Sequence, residues 1–486
     1  MAYVLYLTKS DSAMTVFVGR ELELAKLAEL VRLDAASLVV IKGRRRVGKS
    51  RLASEFAARL SGYRSVLLTG MAPDEKITAG DEREDFALQL SRALAIPPPR
   101  ADDWNTLLWA LADRTATGKW VIILDEINWL GTHDATFLSK LKSAWDLHFS
   151  KNNKLILILS GSLTSWIERN ILRSTGFVGR IHLDLTLDEL PLRYCAAFLE
   201  AGHRYLSSYE KFKILAVTGG IPSYLERIDP ASSADANIHR LCFTREGFLF
   251  REFDLLFHDL FQKKLFYRQL IAAVAEKPLD LEGIYRKLGV KKAGYVSDCI
   301  EDLIEAGFLA RHYTWHVKAR VGSKRSLIRV IDNYTRFYFR SIKPNKTAIE
   351  RGAARLPAGS DGVLGLQFEN LILKNRPAVW AKLGISVDDI VFDDPFWQTA
   401  TRKNRGCQID YMIQCRNNTV YACQIKFSKD PLPRAVISEV DGKIRNLVKP
   451  HNFTFRPVLI HVSGVDETVL EERYFDAVID FGELWS

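Results

Sequence analysis

A chain of 486 residues, at roughly 150 per domain, points to about three domains. Its 47% hydrophobic content and mean hydropathy of −0.06 exclude collagen-like, mucin-like and wholly disordered chains. Lys plus Arg number 68 against 58 for Asp plus Glu, a net charge of +10 that suits a polyanionic partner such as nucleic acid and equally a solvated basic surface. Six cysteines, Cys195, Cys242, Cys299, Cys407, Cys415 and Cys423, form neither a C-x-x-C pair nor a dense secreted framework, so a reducing cytoplasm is the expected compartment. The longest apolar runs, such as Leu155–Leu159, are strand-length and far below the roughly 20 residues of a membrane span. Met1–Thr8 lacks the basic start of a signal peptide, and Met14 offers a second start.

From Val16 to about Leu192, strand-like runs at Ser37–Lys42, Arg64–Thr69, Val121–Asp125 and Leu155–Ser160 alternate with helical periodicity such as Glu21–Leu33 and Ser50–Leu60. That alternation predicts βαβ units and a mainly parallel sheet. Between the first strand and its helix lies Gly43-Arg44-Arg45-Arg46-Val47-Gly48-Lys49-Ser50, a full match to G-x-x-x-x-G-K-[ST], with Arg51 beside it. Glycines let backbone N–H groups curl around phosphate, Lys49 reaches the β and γ phosphates of ATP, and Ser50 ligates Mg²⁺. The strand at 120–124 ends in Asp125-Glu126, a carboxylate for the Mg²⁺ shell followed by one that orients the attacking water. The strand Leu155–Leu159 ends in Ser160-Gly161-Ser162, which places a hydroxyl of Ser160 where it can sense the γ phosphate.

These stretches, with Phe17-Val18-Gly19-Arg20-Glu21, Gly179-Arg180 and Gly219-Gly220-Ile221-Pro222, resemble the AAA+-related archaeal-type P-loop ATPases of the STAND group. The resemblance implies that Val18, Gly19 and Arg20 lie near the adenine. It also implies that Arg180 stabilises the transferred phosphate, in cis or from a neighbouring subunit of a homo-oligomer, with Arg173 as its rival.

After the ATPase core, residues 1–192, comes a helical lid and connector at 193–262 around the Gly219–Pro222 turn. Residues 263–333 read as three short helices and an alternating segment with a turn at Gly322-Ser323, the order of a winged helix. Arg311, Lys318, Arg320, Lys324, Arg325 and Arg329, interleaved with Tyr313 and Trp315, then form a wing suited to DNA phosphates, with Lys291-Lys292 beside the recognition helix. His312 and His316 fall on a strand, so zinc is not expected. Residues 334–365 read as a linker whose end, Gly359-Ser360-Asp361-Gly362 through Gly365, is a flexible boundary.

Members of the group often carry a C-terminal restriction-endonuclease-like domain, and residues 366–486 resemble its PD-(D/E)XK core: Glu369 on the opening helix, Asp410 on a strand, Gln424-Ile425-Lys426 on the next. Glu369, Asp410 and Gln424 would hold Mg²⁺ or Mn²⁺ and Lys426 would position water. Gln424 replaces the usual acid, and Asp410 shares a face with Lys426 only if a three-residue loop, Arg416–Asn418, joins the strands or a bulge interrupts them. The expected fold is thus an α/β P-loop domain with lid, a winged helix and a nuclease-like α/β domain. The expected function is ATP hydrolysis coupled to DNA and to that last domain; the alternative is a nucleotide-switched DNA-binding regulator or scaffold whose nuclease fold is inactive.

Overall fold

A computed structural model describes residues 17–485 apart from 73, 75, 201–205, 258–263, 357–360 and 403–404. The readings placed on Met1–Thr8, Met14, Lys263 and Gly359-Ser360 lie outside the described residues.

Strands β1 (Ser37–Gly43), β2 (Arg64–Thr69), β3 (Trp120–Asp125), β4 (Leu155–Gly161) and β5 (Ile181–Leu187) form a parallel sheet in the order β2-β3-β4-β1-β5. β1, β3 and β4 are buried at every position, as near-continuous apolar strands must be when helices cover both faces. Alternation along β1 sends Val39 and Ile41 into a core with the helices Glu21–Leu30 and Lys49–Arg59, and Leu38 and Val40 into one with Ala79–Leu94 and Trp104–Arg114. β1, β3 and β4 therefore all end on the same edge of the sheet, where open α/β folds place their ligands.

The helices Leu192–Leu199, Ser208–Thr218, Pro222–Leu225, Ala234–Cys242 and Phe248–Leu256 follow, tied back to the sheet where Leu190 N donates to Gly220 O at 2.8 Å. Next come Lys264–Ala275, Leu281–Leu288 and Gly294–Glu305, then an antiparallel hairpin of β6 (Leu309–His316) and β7 (Val321–Val330). Leu279 bridges Ile328 through hydrogen bonds of 3.0 and 2.7 Å, adding a short third edge.

The hairpin departs from expectation in two ways. Its turn falls at 317–320 with Arg320 left-handed at φ 54, while Gly322 lies within β7 opposite Trp315. Arg320 is held there by Arg416 O at 2.7 Å and by Asn418. The strands are also docked rather than free. Trp315 is buried, stacked on Phe392 and donating to Gln414 Oε1 at 2.7 Å, Thr314 donates to Trp397 O at 2.7 Å, and Arg329 is buried. An indole and a guanidinium already sealed inside cannot stack on bases or track phosphates, so Trp315 and Arg329 leave the expected DNA surface.

Residues 334–350, expected within a linker, belong to a run of short helical turns that starts at Asn333. Tyr334, Phe337, Tyr338 and Ile342 are all buried there, a helical spacing that seats the segment in the main core. Likewise Asp361, Gly362 and Gly365 belong to the helix Asp361–Lys374, not to a flexible boundary. Phe368 of that helix packs on Phe212 of the lid with centroids 5.3 Å apart and on Phe481 at 5.5 Å.

The helix Arg376–Leu383 leads into β8 (Ile390–Gln398), β9 (Cys407–Cys415) and β10 (Thr419–Lys426), then the helix Ala435–Asn446, β11 (Thr454–His461) and β12 (Ala477–Asp480). Their sheet runs β12-β11-β10-β9-β8, antiparallel across β8, β9 and β10 and parallel from β10 to β12.

Candidate functional site

At the exit of β1 a Cβ on Gly43 would stand 2.3 Å from Leu187 O, so the strand can turn into the loop there only as glycine. Gly48, left-handed at φ 95, starts the helix Lys49–Arg59, whose first N–H groups face the loop. Lys49 Nζ donates to Arg44 O at 3.1 Å; burial lowers its pKa, opposed by Glu126 and Asp125. Ser50 Oγ donates to Asp125 Oδ2 at 2.6 Å, bringing together two hard oxygen donors from β3 and from the helix beside the loop. That pair fits Mg²⁺, which takes few protein oxygens and the rest of its shell from phosphate and water.

Ser160, expected to face the γ phosphate, is fully buried and gives its hydroxyl to Asp125 Oδ1. Its geometry therefore aims Asp125 and leaves no donor for phosphate. Glu126, left-handed at φ 47, is held on Oε2 by Ser162 N at 3.1 Å and Ser162 Oγ at 2.7 Å. Ser162 lies two residues past Ser160 in the same strand-end stretch, so the signal for this contact is present in the sequence.

Val18 and Arg20, with Phe17, Gly48, Arg51 and Pro222, line a small slot at the start of the helix, and Arg51 pairs with Glu226 across it. Gly19 lies against the Tyr194 ring, where a Cβ would approach to 3.0 Å. The Arg20 guanidinium is buried and donates to Val47 O at 3.2 Å and Asp188 O at 2.5 Å, propping the loop from behind. The side chains at 44–46 are committed elsewhere. Arg44 pairs with Asp332 and lies 5.1 Å from the Phe308 ring, Arg45 donates to Leu255 O at 3.3 Å, and Arg46 grips the buried Glu252 at 3.0 and 3.1 Å. With the Arg44 and Arg46 side chains held in ion pairs, any phosphate contact from those two residues would come from their backbone. No sequence pattern marked Asp332 or Glu252 as their partners.

Arg180 fails as a residue acting in cis. Leu38 pairs with Ile181, so Arg180 lies at the far end of β1 from Gly43, roughly 16 Å away at a strand's rise per residue. It forms a fork with Asp146 at 2.7 and 2.9 Å. Its rival Arg173 is exposed and lies 3.6 Å from Glu168 and 3.8 Å from Glu305.

In the C-terminal sheet the loop between β9 and β10 is Arg416–Asn418, with Asn418 left-handed at φ 61. Tyr411 pairs with Cys423, and that register brings Asp410 opposite Gln424 with Lys426 on the same face. Asp410 Oδ2 accepts from Gln424 Nε2 and, at 3.0 Å, from Ile425 N. Burial first, and then the Glu369 charge, push the Asp410 carboxyl up to about 6. The four residues thus converge, but their donors are occupied. Gln424 Oε1 accepts from Lys443 Nζ at 2.8 Å, Lys426 pairs with Glu439 at 2.5 Å, and Glu369 with the buried Arg329 at 2.7 Å. Among the described residues no group of three or more His, Cys, Asp or Glu is assembled to hold a metal. The expected ligand set of Glu369, Asp410 and Gln424 does not fit a divalent cation as placed, because the amide oxygen is spent on Lys443 and Glu369 on Arg329. Lys443, missed in the sequence, is the lysine nearest this amide; its i, i+4 spacing from Glu439 on the helix after Lys426 was the available signal.

The fold and the first site define a class, an α/β P-loop ATPase domain with a parallel sheet, followed by a second domain with a mixed sheet. Residues 17–228 match the family described as an ATPase domain predominantly from Archaea. An uncharacterised protein of Methanocaldococcus jannaschii is 26% identical over 361 residues, 73% of this chain and 76% of its own. Among solved structures, a Walker-type ATPase of Pyrococcus abyssi aligns over 67% of this chain and 96% of its own, at 16% identity and TM-score 0.48. The ORC2 protein of Aeropyrum pernix, solved in ADPNP–ADP complexes, aligns over 68% and 92%, at 13% identity and TM-score 0.40. No helix among the described residues is long and apolar enough to cross a membrane.

Proposed function

We propose that the chain is an ATP-hydrolysing, DNA-associated switch whose nucleotide state governs its C-terminal domain. The observation that carries this reading is the contact of Ser50 with Asp125 beside Lys49 and Glu126, inside the matched ATPase domain. Bound Mg²⁺ would neutralise charge on the triphosphate. Lys49 would bind the β and γ phosphates, Ser50 and Asp125 would hold the metal, and Glu126, released from Ser162, would orient the attacking water. Val18, Gly19 and Arg20 would border the base, and Arg180 keeps only a role towards a neighbouring subunit. Isothermal titration tests the site: Lys49→Ala removes a charge-assisted contact and should lose most ATP affinity while the wild type binds.

DNA association is supported by the net charge of +10 and by three helices followed by a hairpin, the order of a winged helix. Because the hairpin is docked, exposed Lys291, Lys292, Lys318 and Lys324 are the better contacts. The strand order, register and helix placement of the last domain support a PD-(D/E)XK-like fold. A second reading, in which this domain holds DNA without cutting it, is favoured by the occupied donors of Gln424, Lys426 and Glu369. Incubating the protein with plasmid and Mg²⁺ or Mn²⁺ separates the two: cleavage lost in Asp410→Ala supports the nuclease, and intact plasmid supports the regulator.

A further inference from the structure

A continuous set of buried polar contacts runs from the phosphate loop to Glu369 of the C-terminal domain. At its start, Arg44 contributes its carbonyl to Lys49 Nζ at 3.1 Å and its guanidinium to Asp332. Both members of that ion pair are buried, with side chains 6% and 2% exposed. Burial works against the Arg44 charge, yet Asp332, with Tyr224, Glu189 and Glu252, holds it above its ordinary pKa. The other carboxylate oxygen of Asp332 caps the helix Asn333–Phe337 by accepting from Thr335 N at 2.6 Å. One side chain therefore fixes both the loop and the helix that follows the hairpin.

The next residue carries the path onward. Asn333 Nδ2 donates to Leu215 O in the lid at 3.2 Å, and Asn333 Oδ1 accepts from Asn370 Nδ2 at 3.0 Å. Gln367 Nε2 links Asn333 O at 2.6 Å and Ala216 O at 2.9 Å. Asn370 and Gln367 lie on the helix Asp361–Lys374, where Arg329 Nη2 pairs with the neighbouring Glu369 at 2.7 Å. Arg329, Asn333, Gln367 and Asn370 are all nearly inaccessible to solvent. Close-packed buried polar groups shift between discrete arrangements rather than bending smoothly, because each unsatisfied donor costs free energy.

We infer that Asp332 is a positioning residue of the phosphate loop, supplied from outside the ATPase core, through which nucleotide occupancy alters the setting of Glu369. This rests on the reading of the loop as an ATP site. When triphosphate draws Lys49 forward, the Arg44 peptide that accepts from it moves, and Asp332 carries the movement through Asn333 and Asn370 to the helix bearing Glu369. The arrangement also makes the path reciprocal, since whatever moves Glu369 acts back on ATP affinity.

The test uses the full chain with ATP and Mg²⁺, reading ATP affinity by titration and amide exchange of residues 362–374 by mass spectrometry. Wild type should bind ATP and change exchange across that helix. Asp332→Asn should weaken ATP binding at least about tenfold and abolish the exchange response, whereas Asp332→Glu should restore part of both. Should Asp332→Asn not fold, Asn370→Ala, remote from the loop, should still bind ATP yet lose the response. Wild type that fails to bind ATP removes the reading of the site and this proposal together. Wild type that binds without any change of exchange in the helix, or Asp332→Asn or Asn370→Ala responding as wild type does, removes this proposal alone.

Discussion

Within its own chain Arg180 is held in a structural ion pair, away from the phosphate loop. Its fork to Asp146 pins the start of β5, and the same guanidinium is the first cause holding the Asp146 carboxyl down at about 2. A depressed carboxyl adds stability above its unfolded value of about 4, and that stability is lost as pH falls through about 2. Arg180→Ala should therefore be less stable than wild type at neutral pH in urea unfolding, and the gap to wild type should close as acid protonates Asp146. Loss of ATP turnover in a chain verified as monomeric would contradict the structural role. The phosphate loop, Asp125 and Glu126 were legible because their chemistry sits in one short string or at the end of an apolar strand. The partners of Arg44 and Arg46 were not, since Asp332 and Glu252 are some 200 or more residues distant and their carboxylates look like any others. Ser160 misled for a related reason: a hydroxyl at a strand end has two directions, and only packing selects Asp125.

At the scale of elements, the three-residue loop between β9 and β10 decides whether the C-terminal residues meet. Asn418 at φ 61 takes a conformation that asparagine and glycine tolerate and β-branched residues resist. Asn418→Val should cost about 1–2 kcal/mol, while Asn418→Gly, losing only the Arg320 contact, should stay within about 1 kcal/mol of wild type in denaturant titrations. Equal stability of the Val variant would show that the loop does not dictate the register. The need for this loop follows from strand alternation, the parallel sheet from apolar strands alternating with helical stretches, and the three helices from their own apolar spacing. The wing was misread because alternating Arg, Tyr and Trp looks the same whether one face is in water or against another sheet; Trp315 is buried only because β8 lies there. Residues 334–350 read as a linker because prolines, glycines and charges surround an apolar spacing that is helical only over two turns.

Across the whole molecule, the lid and the helix Asp361–Lys374 share one core, so ATPase and C-terminal domains are packed together rather than strung on a linker. With the hairpin engaged, the DNA contact proposed above would fall on the exposed lysines just ahead of the helix Gly294–Glu305. Neutralising Lys291 and Lys292 should lower the magnitude of the salt slope of DNA binding by roughly two units, and Lys324→Ala by about one. An unchanged slope in all three would move DNA off this face. The central claim, ATP hydrolysis at the Lys49, Asp125 and Glu126 site, is tested most directly by comparing Glu126→Gln with wild type in Mg²⁺–ATP binding and single-turnover hydrolysis. The site predicts ATP affinity within about threefold of wild type and hydrolysis slower by at least about 100-fold. Hydrolysis at the wild-type rate in that variant, or a wild type that neither binds nor hydrolyses ATP, would contradict it.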